Sequence, residues 1–319
     1  MNFFLLIGYN SRFLSTFVAK LCQMYRMVLL LVFVVAFPLL GNAQRKRALL
    51  VGISNYRTNG YRLWRNIHGA EDVALLTPEL RKKGYKVEVL INEQATYQGI
   101  INTLSRFIER TKKGDMVYLQ FSCHGQPVED GLNGRGKDED DGWDEALVPI
   151  DAGKTYHPQG YKGEKHITDD QLKEYILRLR ERIGARGVLY VVIDACHAGN
   201  MERDDFETIR GTNEGLTSNP GNKYNPPDKG KRSKPEKAPG LSPVLYVEAC
   251  ESFQRNQEIV YQGRQYGALS FNIWQTLCKM SSFPQDWQVF MNHLSRNIIA
   301  NKERHNRLWP GTQTVVFEY

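Results

Sequence analysis

Three strand-length runs that are apolar almost throughout, residues 47–53 (RALLVGI), 116–121 (MVYLQF) and 188–193 (VLYVVI), constrain this chain more than any other feature. A strand with no polar side must be covered on both faces, which is the condition of a parallel sheet between helices. The intervening segments supply the covers. Val73, Leu76 and Leu80 recur at helical spacing, closed by Gly84, and Ile100, Ile101, Leu104, Phe107 and Ile108 do the same within 96–112. Between these two helices, residues 85–91 (YKVEVLI) alternate as a strand does. Thr168 with Gln171 three residues later predicts a capping box at the start of a helix over 168–182. A fifth strand at 243–249, helices near 268–280 and 286–300, and a last strand at 314–318 bring the sheet to about six strands, an ordinary size. The pattern predicts an α/β fold, mostly parallel, with its binding crevice outside the carboxyl ends of the strands.

The 319 residues are 41% hydrophobic and 24% charged, enough for one large core. The first 43 residues contain no acid and carry an apolar run at 28–40, followed by Gly41-Asn42-Ala43. This predicts a secretory signal peptide over 1–43, cut after Ala43, and hence an exported protein, periplasmic or secreted. A start at Met24 or Met27 gives a leader of more usual length. The apolar run is broken by Pro38 and is shorter than the ~20 residues a bilayer requires, so no stable membrane anchor is expected. Loss of the leader removes three basic residues and lowers the formal charge from +7 to +4. That is too mild for a nucleic-acid partner. The mature chain then divides into 44–212, a flexible basic linker rich in Gly, Asn, Pro, Lys and Ser over 213–240, and 241–319, which completes the same domain.

The chemistry lies at two strand ends, FSCHG at 121–125 and DACHAG at 194–199. A cysteine becomes a useful nucleophile as a thiolate beside an imidazole that takes its proton. His124 is the candidate base and Cys196 the nucleophile. His197 adjoins Cys196, and neighbours on an extended segment point to opposite faces, so it is the poorer partner. The N–H groups of Gly125 and Cys196 are candidate donors to a developing oxyanion. An inert buried cysteine, or a zinc site from Cys123, His124, Cys196 and His197, are the alternatives, although adjacent residues rarely converge on one tetrahedral centre.

These two strings resemble the SGHG and D-[SA]-C-H-[SA]-G blocks of the caspase-like cysteine peptidases (peptidase C14, clan CD), especially metacaspase-like bacterial members. Collinear stretches extend the resemblance: ALLVGISNY, GAEDVALLTPELRKKGYKVEVL, DGWDEALVPID, ITDDQL, VLYVEACESFQRNQE and GALSF, together spanning nearly all of residues 47–319. The resemblance implies a caspase-like fold and a cysteine endopeptidase acting on proteins or peptides, with a His124–Cys196 dyad. It further implies an acidic pocket, formed by Asp72, Asp194 and Ser122, that accepts Arg or Lys, although Asp72 also suits helix-dipole service. Cys123 departs from the usual Gly, and Ala195 and Ala198 from frequent Ser. No cofactor is required for the dyad. Calcium activation in some relatives points to Asp169, Asp170 and Asp140 as ligands, with Arg203 where an acid is expected. An acidic pocket makes Lys223, Lys229, Lys231, Arg232, Lys234 and Lys237 of the linker candidate sites of self-cleavage. Two other readings use the same residues: a catalytically idle binding module, and a peptidase directed to Asp.

Overall fold

The computed structural model describes residues 17–18, 20–27, 44–56, 64–132, 141–196, 208–226, 235–284, 286–303, 308–310 and 313–319. Two compact units are distinguished, 1–44 and 45–319. In the first, residues 20–27 are helical and exposed, and most of the expected signal peptide lies outside the described residues. No helix among the described residues is long and apolar enough to cross a membrane.

The second unit is built on six strands in the order β11, β8, β7, β3, β1, β2. Strands β1 (Lys46–Gly52), β2 (Tyr85–Ile91), β3 (Met116–Ser122), β7 (Val188–Asp194) and β8 (Val244–Glu248) run parallel, and β11 (Val316–Glu318) pairs antiparallel with β8. The alternation of side chains explains the two cores. Leu49, Val51, Val117, Leu119, Leu189 and Val191 face helices α2 (Tyr97–Arg110) and α3 (Asp169–Ile183), while Ala48, Leu50, Tyr118, Val188, Tyr190 and Val192 face α1 (Gly69–Lys82), α4 (Ala268–Lys279) and α5 (Trp287–Glu303). Both faces are thus apolar and both are covered, as the sequence pattern requires.

Two smaller sheets sit at the carboxyl edge: β4 (His124–Glu129), β5 (Trp143–Val148) and β6 (Ile167–Thr168) in one, and β9 (Glu258–Tyr261) with β10 (Arg264–Gly267) in the other. Helix α2 is capped by Thr96, whose Oγ1 accepts from Gly99 N at 3.0 Å, and α3 by Thr168, which accepts from Gln171 N at 3.4 Å. The expected capping box is only half formed, because the Gln171 amide donates to the Tyr97 hydroxyl at 2.7 Å and ties α3 to α2.

The flexible linker expected from Asn213 is corrected in its first part. Leu216 is buried, its N–H donates to Pro127 O at 2.8 Å and its carbonyl accepts from Glu129 N at 2.8 Å. Residues around Leu216 therefore extend the hairpin that begins at His124, and a scarcity of apolar residues concealed one well-placed anchor.

Candidate active site

Strand register brings the two motifs to the same edge. Ser122 pairs with Asp194 in the β3–β7 ladder, so His124 and Cys196 each lie two residues beyond a matched pair on neighbouring parallel strands. Past that point β3 gives way to the β4 hairpin, and His124 is enclosed completely. Its ring stacks on Trp64 with centroids 4.9 Å apart and lies 4.7 Å from Tyr56, whose hydroxyl accepts from His124 N at 2.9 Å. Nε2 is 2.8 Å from Arg65 O, while Nδ1 is buried without a hydrogen-bond partner. Burial pushes the imidazole down to about 4, so it is neutral at physiological pH and able to accept a proton.

The Cys196 thiol has a backbone partner of its own. Its Sγ donates to Gln254 O at 2.8 Å, and Cys250, from the end of β8, approaches the same carbonyl at 3.5 Å. Strand register thus brings His124 and Cys196 to one edge, with the thiol hydrogen-bonded to the Gln254 carbonyl.

Asp72 and Asp194 meet around an arginine of this chain. Arg210, fully buried, places Nη1 2.5 Å from Asp72 Oδ2 and 3.4 Å from Asp194 Oδ1, while Nε donates to Glu258 Oε1 at 3.0 Å. Each carboxylate is also held by the frame. Gly267 N donates to Asp72 at 2.9 Å; Asn256 Nδ2, Ser270 N and Ser270 Oγ donate to Asp194 at 2.8, 2.9 and 2.6 Å; His68 N donates to Glu258 at 2.7 Å. Burial, and then Asp194, push the Asp72 carboxyl up to about 7 against the pull of Arg210. Burial alone would lower the Arg210 pKa, but the three acids raise it well above its ordinary range, so it is charged. Gly267 is obligatory here: a Cβ would stand 2.3 Å from Asp194 Oδ2 and 2.5 Å from Arg210 Nη1.

The Arg210 carbonyl is equally engaged. It accepts from Cys196 N at 2.9 Å and from Gly125 N at 3.3 Å, the two amides expected to serve an oxyanion. The next residue, Gly211, bridges to both Gly125 and Cys196.

The remaining expectations divide. Asp72 and Asp194 converge on one guanidinium. Ser122 stands behind them, its hydroxyl 3.1 Å from Gln120 Nε2 and 3.3 Å from Ser270 Oγ, and reaches the pocket only through Ser270. Cys123 is packed in the core and burial pushes its thiol up to about 12, so it stays protonated. Asp169 and Asp170 occupy the first turn of α3. Asp140, His197, Arg203, Lys229, Lys231, Arg232 and Lys234 lie outside the described residues, and Lys223 and Lys237 are exposed. Among the described residues no three His, Cys, Asp or Glu side chains converge on a metal position, and no step below is routed through calcium. Sequence reasoning missed Arg210, Glu258, Asn256 and Ser270. The signal for the first was an Arg-Gly pair downstream of the nucleophile, in a chain whose strand ends already carried unpaid acids.

A family model for the caspase domain (Peptidase_C14) matches residues 45–309. The chain belongs to the caspase-domain family. This caspase-domain chain is 29% identical to Metacaspase-1A of Neurospora crassa over 166 residues, which are 49% of this chain and 32% of the relative. It is 30% identical to Metacaspase III c of Phaeodactylum tricornutum over 165 residues, 49% of this chain and 43% of the relative. The match therefore spans well under two thirds of these relatives' own lengths. Among solved structures, protein GSU0716 of Geobacter sulfurreducens superposes with a TM-score of 0.57 at 18% identity, covering 86% of this chain and 92% of that one, a likeness of fold.

Proposed function

We propose that this caspase-domain chain is a cysteine endopeptidase that cuts protein or peptide substrates after Arg or Lys, with Cys196 as nucleophile and His124 as general base and then acid. The observation that carries the reading is the seat of Arg210: its side chain lies among three buried carboxylates while its carbonyl faces two backbone N–H groups beside Cys196. A guanidinium supplies several directed donors to such a cluster, and an Asp side chain would add a fourth buried negative charge, which argues against Asp-directed cleavage.

In the reaction, neutral His124 takes the Cys196 proton and the thiolate adds to the substrate carbonyl carbon. The oxyanion is met by Gly125 N and Cys196 N, a role supported by their shared acceptor, the Arg210 carbonyl. Collapse breaks the C–N bond and His124 returns the proton to the leaving amine. A water deprotonated by His124 then hydrolyses the thioester. Attack requires the Cys196 side chain to leave its rotamer against Gln254. Export after cleavage at Ala43 and a calcium response through Asp169, Asp170 and Asp140 belong to the same proposal, supported by the acid-free apolar leader and by the two acids in the first turn of α3.

Peptide amides with Arg, Lys or Asp before a fluorogenic leaving group test the reading. The expected result is turnover of Arg and Lys only, abolished in Cys196→Ala. Turnover of the Asp peptide would reverse the specificity. A folded protein that cuts none of them under reducing conditions, with calcium and after prolonged incubation, would be a binding module.

A further inference from the structure

We propose that Cys196 and Cys250 form a redox pair: a small hydroperoxide oxidises the Cys196 thiol and Cys250 captures it as a disulfide, which silences the nucleophile and shields it from further oxidation. The inference rests on the reading of Cys196 as nucleophile and adds a covalent modification at that site. Both residues carry thiols in this structure, and both thiols are buried. They share one acceptor: Cys196 Sγ donates to Gln254 O at 2.8 Å and Cys250 Sγ approaches the same oxygen at 3.5 Å. Together they make a small buried cluster of their own, apart from the two cores that cover the sheet.

Strand register explains the approach. Ile193 of β7 pairs with Glu248 of β8, and Ala249 N continues the ladder by donating to Ile193 O at 3.0 Å. Continued to Cys250, that register sets it beside Ala195, one residue short of Cys196. Strands lie about 4.8 Å apart and rise about 3.3 Å per residue, so the offset corresponds to a Cα separation of about 6 Å, inside the roughly 4.4–6.8 Å that disulfides span. Both side chains also line one cavity of about 80 Å³, with Ile193, Ala195, Glu248 and Ser252 among its walls. A single water needs about 10–15 Å³ of such space, so the cavity has room for a peroxide beside the sulfurs. The hydrogen bond to Cys196, and then burial, push the Cys250 thiol well above its ordinary range. Cys250 therefore stays protonated, and Cys196, which gives its proton to His124 in the reading above, is the sulfur that meets the oxidant first.

Atoms and electrons balance with the peroxide as the only oxidant. The Cys196 sulfur bonds to one peroxide oxygen, the O–O bond breaks, and the thiol's former proton leaves on the other oxygen, as water from hydrogen peroxide or as an alcohol. Cys196 is thereby oxidised by two electrons to the sulfenic acid. The Cys250 sulfur then bonds to the Cys196 sulfur, and the hydroxyl group it displaces takes the Cys250 proton and departs as water. Bound to sulfur, Cys196 can neither add to a carbonyl nor go on to the irreversible sulfinic acid, and a dithiol restores both thiols by exchange. Export as proposed above carries the pair into an oxidising compartment, where disulfides persist.

The full chain is reduced with a dithiol, desalted and titrated with hydrogen peroxide, while intact mass, disulfide mapping and turnover of an Arg peptide amide are followed together. The expected result is a loss of about 2 Da, the two thiol hydrogens, with a mapped link between Cys196 and Cys250. Turnover should vanish in step with the link and return in full with dithiol. Cys250→Ala, with Cys250→Ser as a second variant, should turn over the peptide when reduced. Peroxide should then add oxygen to Cys196 itself, and dithiol should not recover the activity. A wild-type chain untouched by peroxide, or one whose Cys196 gains oxygen or links to another cysteine while Cys250 stays a thiol, overturns the pair and leaves the peptidase reading standing. So does a Cys250→Ala protein that recovers from peroxide as fully as wild type. A mapped Cys196–Cys250 link in a chain that cuts no peptide when reduced sinks the peptidase reading alone, and a chain with neither link nor turnover sinks both.

Discussion

Two acidic regions flank Cys196, and they are solved differently. On one side Asp72, Asp194 and Glu258 surround Arg210, and backbone and side-chain donors occupy the other carboxylate oxygens. On the other, a cavity of about 80 Å³ is lined by Glu145, Asp169, Glu248 and Glu251 together with Cys196 and Cys250, with no Lys, Arg or His among its lining residues. There burial, with Glu145, Glu318, Glu251 and Asp169 adding to it, pushes the Glu248 carboxyl up to about 8. The comparison teaches how differently two sets of buried acids can be held. Arg210 and His68 hold the Glu258 carboxyl below its ordinary range despite burial, whereas burial among other acids keeps Glu248 protonated near neutral pH.

Removing one acid from the first region should have the largest effect. Asp194→Ala strands Arg210, Asn256 and Ser270, and is expected to cost about 3–5 kcal/mol of stability, since one partner of a buried pair is lost. Denaturant titration reads the stability, and turnover of Arg peptides should fall by two orders of magnitude or more. An Asp194→Ala protein as stable as wild type would show that the two regions do not differ in kind. Gly267→Ala tests the same frame from the backbone side. The new methyl meets Asp194 and Arg210, so a drop in melting temperature with loss of Arg-peptide turnover is expected, without change in the titration of Glu248.

The pH dependences should have opposite signs. His124 is held near 4 against an ordinary 6.5, so the folded state binds fewer protons than the unfolded one between those values. Its contribution is full above pH 6.5 and is lost as pH falls towards 4, by about 2 kcal/mol between pH 7 and pH 5. Urea titrations at the two pH values measure it. Glu248 is raised, so the folded state binds more protons than the unfolded one between its ordinary value and about 8, and stability should fall as pH rises through that window. Because Glu248 is half-buried and partly screened, Glu248→Gln should stabilise the protein by only about 1 kcal/mol at pH 8 and by less at pH 5. A variant indifferent to pH relative to wild type would place the Glu248 pKa near its ordinary value.

Much of the architecture was legible because it rests on local pattern. Runs such as VLYVVI admit few alternatives to a buried strand, and Thr168 before an amphipathic stretch marked a helix start that is observed. The two strand ends could be located for the same reason, since the motifs follow directly on those runs. The pocket was half legible. Asp72 and Asp194 sit beside recognisable motifs, but Glu258 comes from a hairpin 64 residues beyond Asp194 and Arg210 from a stretch without periodicity. Their roles depend on contacts between distant segments, which no local pattern encodes. Leu216 was overlooked similarly: a single anchor in a polar stretch does not alter its composition.

By itself the sequence determined that this chain has a sheet covered on both faces, with a histidine and a cysteine at neighbouring strand ends, because side-chain periodicity and the apolar content of each strand leave little else to build. Only the tertiary structure decided what fills the space between those ends. Placing Arg210 there depends on bringing three acids from separate segments within ion-pair distance, and a buried charge is tolerable only where all of its partners arrive together.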